Sequence, residues 1–205
     1  DAMTAVGGAV PIVNMFTGEV IFGGVGSGLY GMFFYIVIAV FVAGLMVGRT
    51  PEYLGKKIEA KEIKLAAVGA LLVPTMVLAL TAIAMVTDRG LASVFNEGAH
   101  GFSEAFYAYD SQGNNNGSAF AGYGATEFST LVGSIALWLG RFAPLIAALA
   151  LGGSLAAKKT VPASAGTFRT DGATFGVLLV GVVILTAGLM IFPALTLGPL
   201  VEALS

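Results

Sequence analysis

The chain has 205 residues, 57% of them hydrophobic and only 11% charged, with a mean hydropathy of +0.89. That composition lies far outside the soluble range and points to an integral membrane protein. A net charge of −2 leaves no electrostatic footprint for nucleic acid, the absence of cysteine removes disulfides and thiolate metal sites, and a lone His100 cannot build a zinc-type cluster.

The chain opens at Asp1 without a methionine, and no secretory signal is visible. Ala2 to Phe16 is apolar but short and interrupted by glycine and proline. The first nineteen residues therefore read as the tail of something earlier, and the whole as a piece of a longer membrane protein. Val20 to Gly48 is uncharged and, at about 29 residues, longer than the roughly 20 needed to cross a bilayer. Leu65 to Val86 is a second span, Phe128 to Ala157 a third, interrupted by Arg141, and Ala173 to Val201 a fourth. Pro74 and Pro193 fall inside spans, where kinks are expected.

Between the second and third spans, the stretch His100 to Gln112 predicts a helix over roughly ten of its residues, about 15 Å long. That covers only half of a hydrocarbon core about 30 Å thick. Phe102, Phe106 and Tyr109 give this helix one aromatic face. Asn114-Asn115-Asn116-Gly117-Ser118 follows, and then the chain returns to an apolar span. This is the outline of a re-entrant pore loop, because irregular backbone at membrane depth is tolerated only where protein buries it or a wet cavity borders it. Backbone carbonyls and short polar side chains can replace the water around K⁺ or Na⁺, Gly117 permits the backbone angles this needs, and the helix would turn its negative end toward the loop. An outward-facing Asn/Gly turn is the competing reading.

Charge orients the spans. Arg49, Lys56, Lys57, Lys61 and Lys64 lie in the first loop, and Lys158, Lys159 and Arg169 in the third. The connection Thr87 to Glu127 holds only Arg89 against Asp88, Glu97, Glu104, Asp110 and Glu127. Basic residues concentrate on the cytoplasmic side, so loops 49–64 and 158–172 are expected inside and loop 87–127 outside, with both chain ends.

Three further features bear on chemistry. Gly23 to Gly28 interrupts the first span, and Gly26, Gly28 and Gly31 satisfy a dinucleotide-type GxGxxG. The run after them is apolar on every face, which excludes that reading. Close packing, as with Gly44 and Gly48 on the same span, and a broken, gating helix both remain, with Gly24, Gly26 and Gly28 at its centre. Arg141 lies near the middle of its span, too deep to snorkel, so it requires a carboxylate or carbonyl partner, whether as a structural ion pair or as a fixed charge beside an ion path. Glu19 is either a solvated boundary carboxylate or a cation-attracting wall residue and partner of Arg141. Glu104 suits the positive end of the short helix and is structural.

Gly18-Glu19-Val20, Phe22 to Gly31, Gly48 to Lys57, Asn114 to Gly122, Gly140-Arg141-Phe142 and Pro193-Ala194-Leu195 together resemble the family of potassium-transporting ATPase A subunits, in the same order and across essentially the whole chain. The resemblance is to the C-terminal portion, after the third of four selectivity-filter segments. It implies an all-α integral membrane protein, the last part of a four-repeat helix–pore loop–helix channel fold. Residues 1–64 would then end repeat three with its glycine-broken inner helix, residues 65–159 would form repeat four with pore loop 98–127, and residues 160–205 the C-terminal extra helix.

The same resemblance implies that Asn114 to Ser118 form the fourth filter strand, binding potassium through Asn116 and Gly117. Glu19, Arg49 and Arg141 would lie near the ion path and its cytoplasmic exit. It implies K⁺ as transported ligand with no cofactor, and a bacterial inner-membrane location among lipid. The partners it implies are those of the Kdp complex: a P-type ATPase as the B subunit, a C subunit, and a small F subunit. ATP hydrolysis would belong to a separate chain. A secondary transporter with a broken-helix site and a structural subunit packed around another chain's pore are the alternatives.

Overall fold

The computed structural model describes residues 4–18, 23, 27–118 and 121–204. In chain order these form α1 (Ala5–Phe16), α2 (Ser27–Met46), a two-stranded hairpin of β1 (Glu52–Tyr53) and β2 (Lys56–Lys57), α3 (Ala60–Val86), α4 (Asp88–Leu91), α5 (Gly98–Asn114), α6 (Glu127–Ala156), α7 (Ala173–Leu197) and α8 (Pro199–Leu204). Four helices are long and apolar enough to cross a membrane, namely α2 from Gly28, α3, α6 and α7. The protein is an all-α, multi-pass integral membrane protein.

Element limits differ from expectation at several places. Helix α2 is described from Ser27, and the expected start of the first span at Val20 lies outside the described residues. Thr4 starts α1 by accepting from the Gly7 N–H at 3.2 Å, as a side-chain cap should. The helix stops at Phe16, where Gly18 takes a positive φ of 73° and its N–H donates to Met15 at 2.8 Å, a turn open to glycine at no steric cost. Helix α3 starts at Ala60, so Lys61 and Lys64 sit in its first turns and not in a loop. Helix α7 ends at Leu197 and Val201 belongs to α8. Pro11, Pro74, Pro144 and Pro193 all lie inside helices.

Two compact units can be distinguished, and α3, α6 and α7 each give residues to both. One unit comprises residues 20–71 and 143–186. Its core gathers Phe34, Val37, Val40, Ile58, Leu151 and Phe175, and Gly69 lies flat against the Phe34 ring. Its polar end joins the two basic loops. Thr50 bridges Thr167, and the Thr167 hydroxyl donates to buried Glu52 at 3.1 Å. Lys158 Nζ donates to the Lys57 carbonyl at 2.8 Å, to Glu59 at 3.0 Å and to buried Glu62 at 2.6 Å, and Ser154 donates to Glu62 at 2.5 Å. Burial opposes the charge on Lys158, but hydrogen bonds to Glu62 and Glu59 outweigh it and raise the ammonium above the ordinary lysine value.

The other unit comprises residues 1–19, 72–142 and 187–205. Within it α1, α5 and α8 pack on one another, around Ile12, Phe16, Val77, Phe106, Tyr109 and Ile191. The expected aromatic face of α5 is present. Phe102 and Phe106 stack at 6.1 Å, Phe16 meets Phe106 at 5.7 Å, and Tyr109 meets Tyr123 edge-on at 5.9 Å.

Candidate functional site

Helix α5 holds three of the buried polar side chains of its unit, Glu104, Asp110 and Ser111. The helix has 17 residues rather than ten, which at 1.5 Å per residue is about 25 Å. It extends past Gln112 to Asn114, so Asn114 is helical and the irregular backbone begins at Asn115. Asparagine and glycine are poor helix formers, and here side-chain hydrogen bonds hold the asparagines. Asn114 Nδ2 donates to the Asp110 carbonyl at 2.9 Å and to Asp110 Oδ1 at 3.0 Å. Asn115 closes the helix in the left-handed conformation, φ 57°, and its Nδ2 donates to the carbonyls of Gln112 and Leu137, both at 3.0 Å.

Small residues on α6 set the depth of that end. A Cβ on Gly140 would lie 1.9 Å from the Gly113 carbonyl oxygen, and one on Gly133 would lie 2.7 Å from Gln112 Oε1. The two glycines are seven apart and so share a helix face. Backbone contact of this kind is how membrane helices approach closely. Gln112 Oε1 is buried with no hydrogen-bond partner among the described residues.

The strands of chain entering and leaving this region are stitched together. Phe95 N–H donates to Gly122 and Gly124 N–H to Ser93, at 3.2 and 2.7 Å. Glu104, buried on α5, accepts from the backbone N–H groups of Phe95 and Asn96, both at 3.1 Å, and from Asn96 Nδ2. Its role is therefore to clamp the approach to α5, and it stands in the second turn of the helix rather than at its positive end. His100 lies between two carboxylates, 2.6 Å from Glu202 on α8 and 3.5 Å from Glu104.

Gly117 has φ 72° and open space around it, a conformation that side-chain-bearing residues enter at a cost. Asn116 Oδ1 accepts from the Ser111 hydroxyl at 2.7 Å and from the Ser118 N–H at 2.9 Å. Tyr107 and Ser118 hydroxyls are 2.6 Å apart. With these bonds the amide groups of Asn114, Asn115 and Asn116 are all engaged by protein. No described residue donates a hydrogen bond to the backbone carbonyl of Asn116 or Gly117.

Gly28 is buried near the start of α2, with its N–H donating to Gly23 at 2.9 Å. Arg49 is exposed in the loop before the hairpin. Arg141 is also exposed, and among the described residues neither it nor Arg49 forms a salt bridge. Glu19, Gly24 and Gly26 lie outside the described residues. No cluster of His, Asp and Glu among the described residues could hold a metal ion. Ser111, Tyr107, Gly133 and Gly140, which shape the asparagine segment, carried no periodic signal in the sequence.

The family model described as potassium-transporting ATPase A subunit matches residues 1–204. Among curated relatives, the potassium-transporting ATPase potassium-binding subunit of Methylobacterium nodulans is 61% identical over 206 residues, covering 100% of this chain and 36% of that protein. Proteins of the same description from Mesorhizobium japonicum and Bradyrhizobium diazoefficiens are 58% and 54% identical over the same shares. The chain thus spans little more than a third of the length of these relatives. With identity at this level along the whole chain, it belongs to the family of potassium-transporting ATPase A subunits.

Proposed function

We propose that this chain forms part of the K⁺-binding, channel-like subunit of a bacterial ATP-driven potassium uptake complex, in which Asn114 to Ser118 supply one of four filter strands. One observation carries the reading. The three asparagine side chains are held by the protein, while the carbonyls of Asn116 and Gly117 accept no hydrogen bond from any described residue. Carbonyls left over in this way can replace the hydration shell of K⁺ without a fixed charge that would trap it. The strand needs its three counterparts to close a four-fold site, so conduction belongs to the full-length protein.

In this reading the P-type B subunit hydrolyses ATP, the C and F subunits complete the complex, and no cofactor is required. The glycine-rich stretch that leads into α2 acts as a gate, with Glu19, Gly24, Gly26, Gly28, Arg49 and Arg141 along or below the ion path. The location is the inner membrane, with loops 49–64 and 158–172 cytoplasmic and loop 87–127 outside, since eight of ten basic residues lie in segments 49–64 and 158–172, Lys61 and Lys64 in the first turns of α3. Cysteines at Leu54 and Phe95, exposed at 79% and 64%, should label from opposite sides of the membrane. Labelling of both from one side would reverse the assignment.

The deciding experiment is Gly117→Ala in the full-length protein within its purified complex. The K⁺ concentration giving half-maximal ATPase activity should rise at least about tenfold, which is 1.4 kcal/mol of site energy, and discrimination against other cations should relax. Wild-type affinity and selectivity in normally assembled complex would return Asn114 to Ser118 to a surface turn.

A further inference from the structure

A serine inside a helix ordinarily bonds back to the carbonyl four residues earlier. Ser103 and Ser134 do this, donating to Ala99 at 3.1 Å and to Thr130 at 2.7 Å. Ser111, in the last turn of α5 and only 3% exposed, does the opposite. Its hydroxyl reaches forward past the helix end, 2.7 Å from Asn116 Oδ1 and 3.2 Å from the Ser118 carbonyl.

Asn116 then does two things with one oxygen. It accepts the Ser111 proton and, at 2.9 Å, the N–H of Ser118 two residues on, which is the side-chain mimic of a backbone turn. Both acceptor positions of the amide oxygen are thereby used. Gly117, with φ 72°, is the residue spanned by that turn. Tyr107 lies one turn below Ser111 on the same face of α5, and its hydroxyl is 2.6 Å from Ser118 Oγ.

We propose that Ser111 is a specificity-determining positioning residue, whose hydroxyl sets the turn at Gly117 through Asn116 and so fixes where the Asn116 and Gly117 carbonyls stand. The inference rests on the reading of Asn114 to Ser118 as an ion-binding strand. It adds that the Asn116 side chain braces the strand from behind and is not itself an ion ligand. Tyr107 holds the next point along the same stretch of backbone. Selection between ions of one charge depends on the number and placement of oxygens, so loosening this brace alters selectivity before it alters turnover.

The test uses the full-length protein in its purified complex, with ATPase activity measured against K⁺ and against Na⁺ or Rb⁺. Ser111→Ala should raise the half-maximal K⁺ concentration about five- to tenfold, the worth of one ordinary hydrogen bond, and narrow the preference for K⁺ while leaving the maximal rate unchanged. Asn116→Ala, at an exposed position, should raise the half-maximal K⁺ concentration by a similar factor, and the double variant should be no worse than the more impaired single one. Losses that multiply in the double variant would make Asn116 an independent ion ligand and overturn the proposal. So would unaltered K⁺ dependence in Ser111→Ala alongside a Gly117→Ala variant that is impaired, an outcome that leaves the strand assignment standing. Wild-type behaviour in both Ser111→Ala and Gly117→Ala overturns the strand assignment and this proposal together.

Discussion

Helix α5 holds Glu104, Asp110 and Ser111 buried, at 3%, 0% and 3% exposure, whereas α7 carries no charged residue and leaves Ile184, Leu185 and Leu189 exposed by 64%, 66% and 80%. A water-soluble protein arranges such helices the other way round. The contrast shows what burial means when hydrocarbon is the solvent. Apolar side chains gain little by leaving lipid, so the interior is allotted to groups that need hydrogen bonds. Helix α5 is inside because its carboxylates, hydroxyls and amides can be satisfied there. The apolar flank of α7 is left for lipid or for the parts of the longer relatives that this chain does not span.

Side-chain insertion at Gly140 gives the sharpest test of that contrast. Gly140→Val drives carbon into the Gly113 carbonyl and should cost at least about 3 kcal/mol. Gly181 on α7 has nothing within 4 Å, so Gly181→Val should stay within about 0.5 kcal/mol. Thermal unfolding of the full-length protein in lipid nanodiscs measures both. Equal losses would mean that α7 is packed as tightly as α5 and would break the comparison.

A smaller effect is expected at Glu104. Glu104→Ala leaves the Phe95 and Asn96 N–H groups without their acceptor and should cost about 2 kcal/mol. Glu104→Gln, which keeps an acceptor oxygen, should cost roughly half of that. The same unfolding measurement checks the pair. If Glu104→Ala matched the wild type, polar satisfaction would not be what holds α5 inside.

Composition and hydropathy were enough to locate all four spanning helices, since about twenty uncharged residues have few other folds. They were poor guides to helix ends. Apolar character continues past Phe16, yet a separate helix ends there and a glycine turn at 18 follows it. Helix α5 outran its expected length because its weak helix formers Gly113 and Asn114 are held, Gly113 against Gly140 of α6 and Asn114 by its amide on Asp110 one turn back. The asparagine segment stood out in the sequence as three amides and a glycine between apolar runs, open to an ion-path or a surface-turn reading. Its supports did not. Ser111 and Tyr107 act on residues five to eleven positions ahead, across a helix end, where no periodicity applies. For Arg141, depth in the span demanded polar company without saying whose, and none of the described residues provides an ion pair.

The contact between Gly113 and Gly140 also has a mechanical consequence. Successive residues on a helix point about 100° apart, so Arg141, next after Gly140, leaves α6 at a fixed azimuth from the line that faces α5. Rotation of α6 about its own axis would swing Val132, Leu137 or another side chain into a gap that admits only hydrogen. The contact behaves as a keyway: it stops spin while leaving bending and tilting free. Pro144, which has no N–H for the Gly140 carbonyl four residues back, loosens the helix ladder beside the contact, while Arg141 keeps the azimuth that Gly140 sets.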